Sequence, residues 1–271
     1  MLYKIKHLIK KFRLFYALIS FFKYKVWNPL KSGRYAYYLK YIFLIKHLEC
    51  QKLKDLGIKE PKPFAFMDWR IGKGKDKAFR RYYLGFFQGQ KCFVKIGKND
   101  ATVYNEFKTL SRLKANIFSF SPKMLIGKED FDEQTTMVAV EFIEGLSKFT
   151  APDNVASLQK LCSQALKILS ELESNNLVHA DIHKGNLMVC NDQLFLLDYG
   201  ISKFINQDNA INYIARPGTF YRNVEDGRIY DDAYSFTKLI ESLSLNFPTE
   251  NIKELQEIYQ RIDKINFKVT L

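Results

Sequence analysis

The chain has 271 residues, 47% hydrophobic and 26% charged, a composition that can bury a core and excludes an intrinsically disordered polymer. Its four cysteines, Cys50, Cys92, Cys162 and Cys190, form no Cys-x-x-Cys pair and no metal-like spacing with His7, His47, His179 or His183, which argues against a disulfide framework or zinc site and for reduced thiols in a cytosolic compartment. The net charge of +13 is uneven: residues 1–63 hold 15 Lys and Arg against three acids, and the other 208 residues hold 27 against 26, so any partner the charge implies belongs to the front of the chain.

Residues 1–60 read as two or three basic, aromatic-rich helices broken at Asn28-Pro29 and Ser32-Gly33. Their longest uncharged run, Leu14 to Phe22, has nine residues, short of the roughly 20 needed to span a bilayer. No membrane pass is therefore expected, and no small-residue cleavage site follows. Lysines alternating with Phe, Tyr, Trp and Leu suit an anionic membrane surface on which the helices would lie. Aromatics among bases also suit nucleic acid, and helices packed on the rest of the chain with solvated lysines are the plainest alternative. The expected partner is the membrane surface; nucleic acid is not expected.

Glu60-Pro61-Lys62-Pro63 marks a boundary. After it, "FAFMDWRI", "AFRRYYLGFF" and "KCFVKIG" read as strands, and a helix from about Ala101 to Lys114 has Asp100 as its cap. "SPKMLIG" and "TTMVAVEFIEG" add two strands, giving a five-stranded antiparallel sheet with one helix inserted after the third strand. Val155, Leu158, Cys162, Ala165, Leu169 and Leu172 then recur at helical spacing and predict one buried face. A loop, strand "LMV", turn "CNDQ" and strand "LFLLD" follow. The stretch from Ile201 to Arg228 is polar, and two last helices are expected over about 230–244 and 249–265.

The chemistry gathers in "VHADIHKGNLMVCNDQLFLLDYG", Val178 to Gly200. His179, Asp181 and Asn186 give His-x-Asp-x-x-x-x-Asn, and Asp198-Tyr199-Gly200 comes twelve residues after Asn186. Upstream, "CFVKIG" puts Lys95 on a strand and Glu106 on the next helix, while "VAVEFIEG" reads as the hinge between two lobes. In this order the motifs resemble those of the protein-kinase-like superfamily, over roughly Phe64 to Ser244. The resemblance implies an α+β, two-lobe fold. Residues 63–145 would form an N-lobe with the sheet and one helix, residues 146–271 a mainly helical, shortened C-lobe, and residues 1–62 a basic extension.

By the same resemblance the chain would bind ATP and Mg2+. Lys95 would hold the phosphates, oriented by Glu106, and Asp181, the catalytic carboxylate, would accept the hydrogen bond of the incoming hydroxyl. Asn186 and Asp198 are oxygen ligands suited to Mg2+, and Gly200 would let the backbone turn after Asp198. The hinge residues Glu141, Phe142 and Ile143 would meet the base. Gly72 and Gly74 in "GKGKDKAF" stand in the place of the Gly-rich loop but lack its third glycine, and Lys73 and Lys75 could assist there.

Departures from the pattern bear on the acceptor. Ala180 stands where many regulated kinases carry arginine, so control through a phosphorylated Thr219 or Tyr221 is not expected. His183 stands where protein kinases place a lysine, and "DIHKGN" is closer to small-molecule and glycolipid kinases such as aminoglycoside phosphotransferases and bacterial lipopolysaccharide-core kinases. An imidazole there suits bracing the loop or touching a sugar hydroxyl. "HADIHKGN" is also similar to the ABC1/UbiB atypical kinases, but the lack of a KxGQ motif ranks that likeness lower. "GTFYRNVE" (218–225) and "DDAYSF" (231–236) instead resemble eukaryotic-like protein kinases, with Asp232 expected to brace the catalytic loop.

The leading expectation is an ATP- and Mg2+-dependent phosphotransferase of bacterial type, cytoplasmic and peripheral on the inner membrane, acting on a glycolipid or glycan hydroxyl such as a lipopolysaccharide-core sugar. A Ser/Thr protein kinase with a protein acceptor comes second. A membrane-associated pseudokinase, left open by the poor glycine loop, is third.

Overall fold

The computed structural model describes residues 45–68, 79–113, 119–205, 219–244 and 252–270. The helices expected before residue 45, and Gly72, Lys73, Gly74 and Lys75, lie outside these. The chain divides into two compact units, Met1–Pro61 and Lys62–Leu271. In the first, helix α1 (Lys46–Asp55) stops at Gly57, whose φ of 85° suits a residue without Cβ and whose N–H donates to Lys54 O. Among the described residues no helix is long and apolar enough to cross a membrane.

Strand β1 (Ile58–Asp68) leads into β2 (Phe79–Phe87), β3 (Gln90–Lys98), β4 (Met124–Asp130) and β5 (Thr135–Glu141), paired in the order β1-β2-β3-β5-β4. The pairings resolved between β2 and β3, β3 and β5, and β4 and β5 are all antiparallel. Pro61 and Pro63 lie within β1, an edge strand, where proline is tolerated, and the division between the two units falls between Pro61 and Lys62. Helix α2 (Ala101–Leu113) follows β3 and buries Val103, Leu110 and Leu113.

Helix α3 (Val155–Ser174) opens the C-lobe with a reciprocal capping box between Asn154 and Ser157. Leu158, Cys162, Ala165, Leu169 and Leu172 are buried as the spacing predicts, with Leu161, Leu166 and Ile168 widening the stripe. Val155, in the exposed first turn, is not part of that face. β6 (Ser147–Lys148) precedes α3, and β7 (Leu177–Val178), β8 (Leu187–Cys190), β9 (Gln193–Leu196) and β10 (Lys203–Phe204) follow it.

The C-lobe carries more strand than the expected mainly helical arrangement. β11 (Arg222–Val224), β12 (Gly227–Asp231) and β13 (Asn266–Thr270) form a three-stranded sheet. Helix α4 starts at Asp232 and ends at Leu243, and helix α5 spans only Lys253–Tyr259. One long-range pairing and one local cap bear on where α4 begins. Tyr230 pairs with Phe267 in the β12–β13 register, ring centroids 5.1 Å apart and stacked, so Tyr230 ends a strand and does not begin the helix. Asp231 caps α4, accepting from Tyr234 N at 3.0 Å. The main core runs from α2 through α3 to α4 and α5, with Tyr199 inside it.

Candidate active site

Between the lobes of the second unit lies a cavity of about 480 Å³. From the N-lobe, Phe64, Tyr82 and Phe93 line it, with Tyr82 stacked on Phe93 at 5.5 Å. The hinge residues Glu141, Phe142 and Ile143 line it too, with the hinge backbone pinned by Phe142 N donating to Lys91 O. Lys95, Glu106, Asn186 and Asp198 supply the polar part of the wall.

Lys95 reaches this wall because its register partner is Tyr82, which puts both side chains on one face of the sheet. Its buried ammonium is ion-paired with Glu106 and lies 3.5 Å from Asp198 Oδ1. Burial works against the charge, but the Glu106 and Asp198 carboxylates outweigh it and hold the Lys95 pKa above its ordinary value.

Glu106 is placed by α2, whose first turn is tied on several sides. Asp100 Oδ1 accepts from the N–H groups of Thr102 (3.0 Å) and Val103 (3.4 Å). Arg80 donates from Nε to Asp100 Oδ2 at 3.0 Å, from Nη2 to Oδ1 at 3.3 Å, and to Thr102 Oγ1. Burial disfavours this guanidinium, yet Asp100 and the charge of Asp198 keep its pKa above the usual value. Beneath the helix, a Cβ on Gly97 would lie 2.6 Å from Val103 Cβ.

The loop from His179 to Asn186 follows β7. Asp232 Oδ2 accepts from His179 N at 2.6 Å and Oδ1 from Ala180 N at 3.0 Å, the bracing expected of it. Burial pushes the Asp232 carboxyl up to about 7, against the pull of those two N–H groups. Ala180 has φ of 66° and packs with Tyr230 and Phe267, so a long side chain there would meet aromatic core. His179 is fully buried: Nδ1 accepts from Asp181 N at 3.3 Å, which leaves Nε2–H to donate to Leu197 O at 3.1 Å. Burial lowers its pKa to about 4 and keeps the ring neutral.

Asp181 Oδ1 accepts from Thr219 Oγ1 at 2.6 Å, and Oδ2 from Asn186 Nδ2 at 3.1 Å. His183 begins the short 3-10 turn Lys184–Asn186, its Nδ1 accepting from Gly185 N at 2.9 Å, with Nε2 3.6 Å from Asp181 Oδ1. Burial raises the Asp181 pKa, but the His183 and Thr219 hydrogen bonds outweigh it and leave the carboxyl below its ordinary value.

After β9, Leu197 N donates to Asn186 O, and Asp198 takes the left-handed conformation, φ 64° and ψ 73°. The turn expected of Gly200 is therefore made by Asp198. Gly200 has a different use: a Cβ there would come within 3.0 Å of Thr102 Cβ and 3.2 Å of Thr102 O, so the missing side chain lets the turn approach α2. Asn105 spans the same gap, donating to the carbonyls of Tyr199 (3.4 Å), Gly200 (3.3 Å) and Ser202 (2.8 Å). Tyr199 packs edge-on against His179 at 4.7 Å.

Lys95, Glu106 and Asp198 thus meet directly. Asn186 joins them along the cavity wall while holding Asp181, and Gly72 and Gly74 lie outside the described residues. Arg80, Asn105 and the Thr219 contact were not legible in the sequence. Spacing could have raised Asn105, one residue before Glu106, but a buried Arg at the start of β2 resembles the solvated lysines preceding it.

Among the described residues no group of three or more His, Cys, Asp or Glu is arranged to hold a metal by itself. The donor set fits Mg2+ nonetheless, since that ion takes one or two protein oxygens and completes its shell with phosphates and water. Asp198 offers a carboxylate, and Asn186, its Nδ2 spent on Asp181, offers an amide oxygen.

Residues 129–221, from the end of β4 to Tyr221, match the ABC1 atypical kinase-like domain. The likeness ranked low for want of a KxGQ motif is thus carried by the stretch that holds the hinge, α3, the His179–Asn186 loop and the Asp198 turn. The chain is also 22% identical over 207 residues, 71% of its length, to a probable serine/threonine-protein kinase 2 of Plasmodium falciparum, and spans 40% of that relative. A solved structure, the Cydia pomonella granulovirus kinase PK-1, is similar with a TM-score of 0.46 and 16% identity, over 81% of this chain and 87% of that one. Motif order, the Lys95–Glu106–Asp198 geometry and the match over residues 129–221 support a protein-kinase-like superfamily.

Proposed function

We propose that the chain is an ATP- and Mg2+-dependent phosphotransferase that moves the γ-phosphate to a hydroxyl. The Lys95 ammonium carries this reading: it is held charged between two carboxylates on the wall of a cavity whose other sides are aromatic and hinge backbone. Phosphoryl transfer requires positioning and charge more than covalent chemistry from the protein. Lys95 would contact the phosphates, and the base would lie between Phe93 and the hinge. Mg2+, held by Asp198 and Asn186, would offset phosphate charge. Asp181 accepts the proton of the incoming hydroxyl as its oxygen bonds to the γ-phosphorus, and the bond to the bridging oxygen breaks to release ADP. Asp181 suits this role because its carboxyl stays ionised and its oxygens are fixed by Thr219 and Asn186.

For the acceptor, we favour a glycolipid or glycan hydroxyl at the cytoplasmic face of an inner membrane. His183 in the lysine position supports this, its ring fixed by Gly185 N–H with Nε2 directed at Asp181, as does the basic, aromatic front segment. A Ser/Thr protein acceptor is the second reading, favoured by the Thr219–Asp181 bond and by the printed name of the Plasmodium relative. Lys95→Met should weaken ATP binding about tenfold or more, and Asp198→Asn should flatten the Mg2+ dependence of turnover. Wild-type turnover in both variants, measured by ADP release, would remove these roles.

A further inference from the structure

We propose that Arg80 and Asn105 are positioning residues that latch helix α2 in place, so that Glu106 stays paired with Lys95 without any activating modification. The proposal rests on the phosphotransferase reading for its consequence, but the latch itself stands on contacts. Arg80 is 3% exposed and makes a two-pronged contact to Asp100, the residue that caps α2, and a further one to Thr102. One turn on, Asn105 is 5% exposed and donates to three backbone carbonyls of the turn after Asp198. Thr102 touches both arms, since it meets Arg80 on one side and the bare Cα of Gly200 on the other.

These contacts tie β2, the first turn of α2 and the 199–202 turn into one unit, and Glu106 is the next residue after Asn105. Moving α2 outward would leave a buried guanidinium without its carboxylate and would separate the Asn105 amide from its carbonyls. The paired arrangement of Lys95 and Glu106 is therefore the resting one. The buried Thr219 hydroxyl fits this picture, as it is spent on Asp181 and is not presented for phosphorylation.

The test compares amide hydrogen exchange and ATP turnover in wild type, Arg80→Gln, Arg80→Lys and Asn105→Asp, on full-length protein whose mass shows no phosphate. Asn105→Asp keeps the side-chain size but turns a donor toward the carbonyls into an acceptor, so it guards against a global folding failure in the Arg80 variants. The latch predicts slow exchange over residues 101–113 in the unmodified wild type. It predicts about tenfold faster exchange there in Arg80→Gln and Asn105→Asp, with α3 amides unchanged. It also predicts that kcat drops about tenfold while KM for ATP moves about threefold or less, with Arg80→Lys in between. Unchanged α2 exchange, or a uniform rise across both lobes with kcat per folded molecule intact, would overturn it. Should the wild type turn over no ATP, the phosphotransferase reading fails, and the exchange data alone decide on the latch.

Discussion

Asp181 has its two oxygens held by different neighbours: Thr219 donates to Oδ1, which also faces His183, and Asn186 donates to Oδ2. Removing the Thr219 hydroxyl takes away one of the bonds that keep this carboxyl below its ordinary pKa. On the proposed reading Asp181 is the base and must be deprotonated, so Thr219→Ala should move the acid limb of the kcat/KM profile to higher pH; an unmoved limb would show that Asp181 does not govern it. His179 offers a stability test. Its folded pKa of about 4 lies below the unfolded 6.5, so the unfolded chain binds more protons between those values and wild-type stability should fall as pH drops through that window. The full effect is roughly 3 kcal/mol. Asp232, raised to about 7, acts with the opposite sign, losing stability as pH climbs from 3.8, but it is common to both proteins in a comparison with His179→Gln. Urea midpoints should diverge between wild type and variant above pH 6.5 relative to pH 4, and parallel curves would contradict a buried neutral ring. The residues of fixed spacing, from His179 to Asp198, were legible because their order alone ties them to one loop and one strand end. Arg80 was not: a base following a lysine-rich turn reads as solvated, and only the sheet register turns it inward beside Asp100.

Helix α2 is the element on which the site depends. Gly97 lets Val103, fully buried and stiff at χ1, sit against β3. Gly97→Ala would force the helix away and should cost about 1–3 kcal/mol; adding Val103→Ala should recover part of that loss, a coupling visible in a double-mutant cycle on urea midpoints. Strict additivity would show that the two residues do not oppose each other. The helix itself was readable from the sequence, because Asp100 and the apolar spacing mark its start and its buried face locally. The β11–β12–β13 sheet was not, because its strands are short, polar in part and drawn from stretches some forty residues apart. The Tyr230–Phe267 contact that fixes it has no local sign.

On the scale of the molecule, charge and chemistry are divided between segments. Nearly all the net positive charge lies in residues 1–63, while the Lys95, Asp181 and Asp198 constellation belongs to the unit that begins at Lys62. On the proposed reading the front segment brings the enzyme to an anionic surface, and the second unit performs the transfer. The most direct measurement incubates full-length protein, a form lacking residues 1–60, and Asp181→Asn with γ-labelled ATP, Mg2+ and membrane extract, then separates lipid, glycan and protein label. The account predicts label in the lipid or glycan fraction, reduced strongly by the truncation in membranes but less so for ATP hydrolysis in solution, and reduced about a hundredfold by Asp181→Asn. Label confined to protein would select the second reading of the acceptor, and ATP turnover no greater than that of Asp181→Asn would contradict the phosphotransferase itself.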